Sequence, residues 1–167
     1  MRLTLLGILL GGLLLAAACG GDDEKTSTTT ATTRATGGAS GSPGAAQQIN
    51  VTVQEFSVIP EKTSTKAGKI TFNVENKGPT QAHEFLVFKT DLGVDELPTQ
   101  SDGSLDEEDP ALAMIDEITE FNPGQKKSLT VELEPGKYIL ACNRGEETGG
   151  QIPSHFAQGM RTAFTVE

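Results

Sequence analysis

The run Tyr138-Ile139-Leu140-Ala141-Cys142-Asn143 is apolar up to its cysteine and is the clearest strand pattern in the chain. A short continuous apolar run bounded by turn residues is typical of a β-strand covered on both faces. Because side chains alternate along a strand, Tyr138, Leu140 and Cys142 lie on the same face. The run therefore predicts a buried strand that presents a thiol at its end.

Further strands are predicted on the N-terminal side of this run. Apolar and polar residues alternate in three segments, Val51 to Val53, Ile70 to Val74 and Leu129 to Leu133, and Phe85 to Phe88 is continuously apolar. Turn signals separate the segments, namely Asn76-Lys77-Gly78-Pro79, Asn122-Pro123-Gly124 and Glu134-Pro135-Gly136. Short strands separated by such turns predict an all-β fold, an antiparallel β-sandwich.

One acidic stretch, Asp91 to Glu120, interrupts the strand pattern and contains no Lys or Arg. We interpret it as an insertion between strands. Its second half, Leu105 to Ile118, could form a short helix, because Leu112, Ile115 and Ile118 recur at helical spacing. The sequence thus predicts a sandwich with an acidic, partly helical insertion.

The donor residues of the chain form one small set. The sequence has two histidines and two cysteines, and one of the cysteines, Cys19, lies near the N-terminus. A thiolate and two imidazoles hold copper in a trigonal plane, and a thioether adds a weak axial contact. His83, Cys142, His155 and Met160 are therefore the candidate ligands of one mononuclear copper ion cycling between Cu(I) and Cu(II), which points to electron transfer.

Other chemistry of these residues was weighed. Zinc accepts Cys and His, but a nearby methionine gives zinc nothing. A Cys-His nucleophile needs an orienting residue that no motif around Cys142 marks. Copper oxidases need further histidines, which the chain lacks, so no enzyme activity is expected. Two other functions stay open: copper storage or delivery without redox turnover, and a metal-free adhesion or scaffold sandwich.

Residues 49–167 resemble the cupredoxins, the plastocyanin and azurin family of Greek-key copper sandwiches. The motifs that carry the resemblance are Phe56-Ser57-Val58-Ile59-Pro60, Ala82-His83-Glu84-Phe85, the Tyr138 to Asn143 run and His155-Phe156-Ala157-Gln158-Gly159-Met160. In that family the first histidine opens a strand, and the thiolate, second histidine and methionine share the loop between the last two strands. The resemblance implies that these roles fall on His83, Cys142, His155 and Met160.

The chain departs from plastocyanin and azurin at two points. The loop between Cys142 and His155 is longer and carries Arg144 to Gln151, closer to the loop of copper nitrite reductases. A loop of this length could cover the histidine edge through which electrons usually pass. In addition, Glu84 stands where those proteins have an Asn that ties the ligand loops together, so Glu84 and Asn143 are candidates for the hydrogen bonds around the ligands.

The N-terminus has the pattern of a secretory signal. A short basic start is followed by the apolar stretch Leu3 to Leu15. The sequence Ala16-Ala17-Ala18-Cys19-Gly20 resembles the lipobox of bacterial lipoproteins, in which the cysteine is lipidated. We predict a lipoprotein signal peptide at residues 1–18 and a lipid on Cys19; the alternative is ordinary cleavage near Ala18.

Residues 19–48 are rich in Thr, Ser and Gly and predict a disordered tether ahead of a folded domain at 49–167. The expected location is extracytoplasmic, anchored by lipid to the cell membrane, either in a periplasm or on the outer face of the cytoplasmic membrane. Cys142 would then be a single thiol in an oxidising compartment, where metal ligation gives it a role.

A formal net charge of -10 argues against nucleic acid as a partner, because phosphates attract basic surfaces. A redox protein such as a basic cytochrome or a membrane oxidoreductase fits better. The cluster Asp106-Glu107-Glu108-Asp109 is either a solvated loop or a docking patch for such a partner. Calcium binding is not expected, because Asp102-Gly103 lacks the ligand spacing of an EF-hand.

Overall fold

The computed structural model describes residues 46–145 and 154–167, whose regular structure is nine strands in two sheets. The strands are β1 (Gln47–Gln54), β2 (Ser57–Pro60), β3 (Ser64–Thr65), β4 (Gly68–Asn76), β5 (His83–Lys89), β6 (Ala113–Phe121), β7 (Lys126–Leu133), β8 (Gly136–Ala141) and β9 (Arg161–Val166). The first sheet has the order β2-β1-β4-β7 and the second β3-β9-β8-β5-β6. The described residues contain no helix long and apolar enough to cross a membrane.

Several predictions concern residues outside these ranges. The signal peptide at 1–18, the lipidated Cys19, nearly all of the tether and residues 146–153 of the long loop are not described. The first strand begins at Gln47, two residues before the predicted start of the domain.

The predicted alternation in the first sheet is confirmed. Ile70, Phe72 and Val74 of β4 are buried, while the residues between them are partly exposed. Together with side chains of β5, β8 and β9 they form the inner core, which lies between the sheets and includes Phe85, Phe121, Tyr138, Leu140, Cys142, Met160 and Phe164.

The second sheet is apolar on both faces, as the continuous runs predicted. Leu86 and Phe88 of β5 and Ile139 and Ala141 of β8 point away from the inner core. They form an outer core with Leu97, Leu105, Leu112 and Phe156. The acidic segment between β5 and β6, residues 90–112, therefore contributes apolar side chains that cover this sheet; we call it the insertion.

The prediction of a helix within Leu105 to Ile118 was wrong. Residues Ala113–Phe121 form β6, which pairs antiparallel with β5 in the register Phe85↔Ile118 and Leu86↔Glu117. The edge of β5 offers backbone hydrogen bonds, and Ile115, Ile118 and Thr119 are β-branched residues that favour strands. Pairing with the sheet thus outweighs the helical spacing.

The sheets are also not purely antiparallel as predicted. β1 runs parallel to β4, with Ile49 beside Phe72, and β3 runs parallel to β9. Strand patterns alone do not specify which strands become neighbours, because a half-buried strand shows the same alternation in either direction. The parallel pairing places the end of β1 beside the end of β4, close to the loop that leads to His83.

Candidate metal centre

His83 and Cys142 are brought together by neighbouring strands. His83 is the first residue of β5 and Cys142 directly follows β8. The two strands are antiparallel, with Leu86 opposite Ala141, so the start of β5 and the end of β8 lie at the same end of the sheet. Both side chains are fully buried.

His155 and Met160 lie in a turn that closes against Cys142. The backbone N–H of His155 donates to the carbonyl oxygen of Arg144 (2.8 Å), and that of Met160 donates to the carbonyl oxygen of His155 (3.0 Å). The Cys142 N–H in turn donates to the Met160 carbonyl oxygen (3.0 Å). These bonds bring the residues from both sides of the long loop to one place.

The predicted donor atoms of His83, Cys142 and His155 converge. His83 Nδ1 lies 3.0 Å from His155 Nδ1, and Cys142 Sγ lies 3.4 Å from His155 Nδ1 and 3.9 Å from His83 Nδ1. Met160 is fully buried in the same inner core as Cys142. Among the described residues, this is the cluster of His, Cys, Asp or Glu side chains that could hold a metal ion.

The site is held neutral in the metal-free chain. Burial, helped by His83 and Arg144, lowers the pKa of His155 to about 4. Burial also lowers the pKa of His83, against the opposing effect of Glu55. Burial raises the pKa of the Cys142 thiol to about 12. The imidazoles are therefore unprotonated donors, and a metal ion must displace the thiol proton in order to bind.

The donor set fits copper. Two neutral imidazole nitrogens and a thiol face one another in apolar surroundings, and the thioether of Met160 belongs to the same core. Imidazole, thiolate and thioether are the ligands of a mononuclear copper site. Neither His83 Nε2 nor His155 Nε2 has a hydrogen-bond partner in the described part of the chain. Both rings direct their Nδ1 atoms towards the cluster, because these atoms lie 3.9 Å (His83) and 3.4 Å (His155) from Cys142 Sγ.

Glu84 and Asn143, singled out from the sequence, do connect the two ligand strands. The Glu84 N–H donates to Cys142 Sγ (3.4 Å), and the Asn143 N–H donates to Glu84 Oε1 (2.8 Å). Burial raises the pKa of the Glu84 carboxyl; the Asn143 hydrogen bond opposes this, whereas Glu107 and Glu117 add to it. The glutamate thus ties the residues beside His83 and Cys142 together.

Sequence reasoning missed two polar residues that shape the loop before His83. Asn76 is fully buried; its Nδ2 donates to the carbonyl oxygens of Gln81 (2.9 Å) and Phe121 (3.0 Å), and its Oδ1 accepts from the Gly78 N–H (2.9 Å). Glu55 Oε1 accepts from the Gln81 N–H (2.6 Å) and the Thr80 N–H (3.2 Å). An Asn two residues before a Gly is the available signal, since this spacing favours a side-chain turn.

Glu55 belongs to a turn that touches the surroundings of both histidines. Burial acts to raise the pKa of its carboxyl, but backbone N–H groups, including those of Gln81 and Thr80, hold it below the ordinary value. A Cβ on Gly78 would lie 2.8 Å from Glu55 Cδ, so a larger residue there would require the Glu55 carboxylate to move. The next residue, Phe56, packs edge-on against the His155 ring, with 5.2 Å between the two ring centroids.

These features define the class of the site: a buried thiol and two imidazoles at one end of a two-sheet sandwich, as in mononuclear copper proteins. Residues 26–152 match the family described as "Cupredoxin-like domain". The chain therefore belongs to this family. The matched range ends before His155 and Met160, so the placement of those two residues comes from the structure and the donor chemistry.

No curated protein matches the chain. Among solved structures, the sodium-dithionite-reduced auracyanin from the photosynthetic bacterium Roseiflexus castenholzii is 21% identical with a TM-score of 0.51, covering 74% of this chain and 99% of its own. Auracyanin A, a "blue" copper protein from the green thermophilic photosynthetic bacterium Chloroflexus aurantiacus, is 19% identical with a TM-score of 0.51, covering 74% and 100%. At these identities the likeness concerns the fold. Family and donor set together identify one copper ion as the cofactor.

Proposed function

We propose that this protein is an extracytoplasmic, lipid-anchored blue copper protein that carries single electrons between redox partners. The observation that carries the proposal is the convergence of Cys142 Sγ with the Nδ1 atoms of His83 and His155, with all three side chains fully buried. Met160, buried beside them, completes the set as the weak axial ligand.

The bound copper ion supplies the Cu(I)/Cu(II) couple. The chain supplies a fixed, dry surrounding for it. Paired strands hold His83 and Cys142. These two ligands can therefore move little when the copper changes oxidation state. The Glu84 N–H donates to Cys142 Sγ and helps to hold the charge of a thiolate in an apolar pocket.

An electron carrier rather than an oxidase is supported by the histidine inventory. The whole sequence contains two histidines, and both belong to this cluster. A second catalytic copper would need further imidazole ligands. The protein therefore passes electrons to another redox protein, and its net charge of -10 suits a basic one.

The test of the proposal is a Cu(II) titration of the purified full chain, followed by visible spectroscopy and measurement of electron self-exchange. We expect one copper per chain, an intense thiolate-to-copper band and fast exchange with tight copper retention. A colourless one-to-one Cu(II) complex would refute the blue site. Slow exchange with ready loss of copper to a chelator would instead favour copper storage or delivery.

The lipid anchor is tested separately, because it rests on Ala16-Ala17-Ala18-Cys19 alone. Cys19→Ser is expected to move the mature protein from the membrane fraction to the soluble extracytoplasmic fraction. Ala17→Gly, which keeps a small residue at the cleavage site, is the matched control. Wild-type protein found in the soluble fraction would contradict the anchor without affecting the copper site.

A further inference from the structure

The residues that directly follow Cys142, His155 and Met160 in the sequence share one property. Each of them contacts the insertion: Asn143 after Cys142, Phe156 after His155 and Arg161 after Met160. Cys142 and Met160 belong to the inner core, whereas Phe156 belongs to the outer core and Asn143 and Arg161 bond to residues of the insertion. A ligand can therefore face the inner core while its neighbour reaches outward to residues 90–112.

Asn143 makes the polar part of this contact. Its Oδ1 accepts from the Leu105 N–H (2.7 Å), and its Nδ2 donates to the Leu105 carbonyl oxygen (3.1 Å) and to Glu107 Oε1 (2.7 Å). The Asn143 N–H also donates to Glu84 Oε1 (2.8 Å). The residue after the thiol is thus fixed by the insertion on one side and by the strand of His83 on the other.

Phe156 makes the apolar part. It is 2% exposed and packs in the outer core with Leu97, Leu105 and Leu112 of the insertion. The backbone of the insertion also comes close to the next residue: Gly103 has a φ of 81°, and a Cβ there would lie 3.1 Å from Ala157 Cβ. The turn that carries His155 therefore packs against the insertion at Phe156 and Ala157.

Arg161 makes the third contact. Its Nε donates to the Val94 carbonyl oxygen (3.1 Å), and its guanidinium lies 3.7 Å from Asp95 Oδ1. The same group donates to the Phe156 carbonyl oxygen (2.8 Å) and lies 4.7 Å above the Phe156 ring. One side chain thus joins the start of the insertion to both ends of the turn between His155 and Met160.

We propose that the insertion is a clamp that holds Cys142, His155 and Met160 in position, acting through Asn143, Phe156 and Arg161, before copper binds. Its acidic residues keep it soluble, and its apolar and hydrogen-bonding residues fix the ligands. The part of this proposal that concerns copper rests on the proposed function; the part that concerns the order of the ligand loop does not. Asn143, Phe156 and Arg161 are positioning residues, since none of them is a donor in the cluster.

The decisive comparison uses two adjacent glutamates of the full chain. Glu107→Ala removes the partner of Asn143 Nδ2, whereas Glu108→Ala makes the same change of charge at an exposed side chain. Glu107→Gln keeps an oxygen acceptor and should behave like wild type. Asn143→Leu removes all the side-chain hydrogen bonds to Leu105 and Glu107 and should have the largest effect of the four.

The readout in copper-free protein is hydrogen exchange of the Cys142 and Met160 amides, which bond to the carbonyl oxygens of Met160 and His155. Losing one hydrogen bond corresponds to roughly fivefold faster exchange, so Glu107→Ala should reach about that factor and Asn143→Leu should exceed it. Glu108→Ala and Glu107→Gln should show no increase. Amides of β4 should be unaffected, because the outer core to which the insertion contributes contains no residue of the first sheet.

The copper-loaded protein gives an independent readout. Glu107→Ala and Asn143→Leu should shift the visible band and the reduction potential relative to Glu108→Ala. Unchanged exchange at Cys142 and Met160 in Asn143→Leu would overturn the clamp, and so would an equal rise in the amides of β4, which would mark general destabilisation. A wild-type protein without a blue band but with the expected exchange pattern would refute the proposed function and leave the clamp standing.

Discussion

His83 and Cys142 are carried by the ends of paired strands, whereas His155 and Met160 lie in a turn between residues 154 and 160. The strand pair is held by the ladder between β5 and β8 and by buried polar groups, Asn76 above all. The turn pair is held by short backbone hydrogen bonds and by contacts with the insertion. One copper site is thus supported by two kinds of structure, and the two halves should respond differently to mutation.

The largest effect is expected at the strand pair. Cys142→Ser removes the thiolate, which is the strong donor of the trigonal plane, and should abolish the visible band and most of the copper affinity. Optical titration with Cu(II) measures both. The half-buried Ser57 provides a control through Ser57→Ala, which should leave the band in place. A Cys142→Ser protein that keeps an intense band would show that the colour has another origin.

Acid should destabilise the copper-free protein through both halves. The pKa of folded His155 is about 4, whereas an unfolded histidine titrates near 6.5, so the unfolded chain takes up the proton first as the pH falls. The contribution of His155 to the free energy of unfolding is therefore fully present above about pH 6.5. It decreases by about 3 kcal/mol as the pH falls towards 4.

Urea denaturation at several pH values measures this loss, and His155→Gln isolates it from the carboxylates. The variant should lack the part of the pH dependence that belongs to the imidazole. A wild-type protein and a His155→Gln protein with parallel stability profiles between pH 7 and pH 4 would show that the ring is solvated in the folded state.

A smaller difference should separate the supports of the two halves. Asn76→Ala leaves the Gly78 N–H and the carbonyl oxygens of Gln81 and Phe121 without their partner, and should cost about 3 kcal/mol. Ser154→Ala removes one acceptor, for the Ala157 N–H at 3.1 Å, and should cost about 1 kcal/mol. Chemical denaturation measures both. Equal losses of unfolding free energy in the two variants would contradict this distinction. They would mean that buried polar side chains support the strand pair no more than they support the turn pair.

The smallest effect is expected at the axial position. Met160→Leu replaces a weak donor by a side chain of similar volume, so colour and copper should remain while the reduction potential rises, because Cu(II) loses a donor. Voltammetry measures the potential. His83→Ala and His155→Ala, which remove equatorial donors, should damage copper binding more. A potential identical to that of wild type would mean that Met160 is not the axial ligand.

The sequence was sufficient to predict that His83, Cys142 and His155 lie together, because histidine and cysteine are rare in this chain. Both histidines and the cysteine of the folded part converge, and the buried run at Tyr138 and the cysteine at its end were predicted correctly. The alternation of apolar and polar residues was enough to predict that these strands exist. It could not predict that β1 pairs in parallel with β4, because alternation does not specify which strands become neighbours.

The supports of the site were harder to predict. Asn76 and Glu55 are common polar residues, and only their burial in the fold makes them important. The sequence predicted an acidic, partly helical insertion, and it did not indicate that Leu97, Leu105 and Leu112 would cover the second sheet from segments without regular structure. Periodicity can predict regular elements; it does not reveal irregular segments that pack by individual side chains.

The direction of β1 determines at which end of the domain the chain enters the sandwich. β1 starts at Gln47, beside Ile70, and runs for about 25 Å to its end near Asn76 and the loop before His83. The other terminal strand, β9, leaves from Met160 and ends beside β3, where the Ala67 N–H donates to the Glu167 carbonyl oxygen (2.7 Å). Whatever precedes Gln47 joins the sandwich at the pole opposite the ligands.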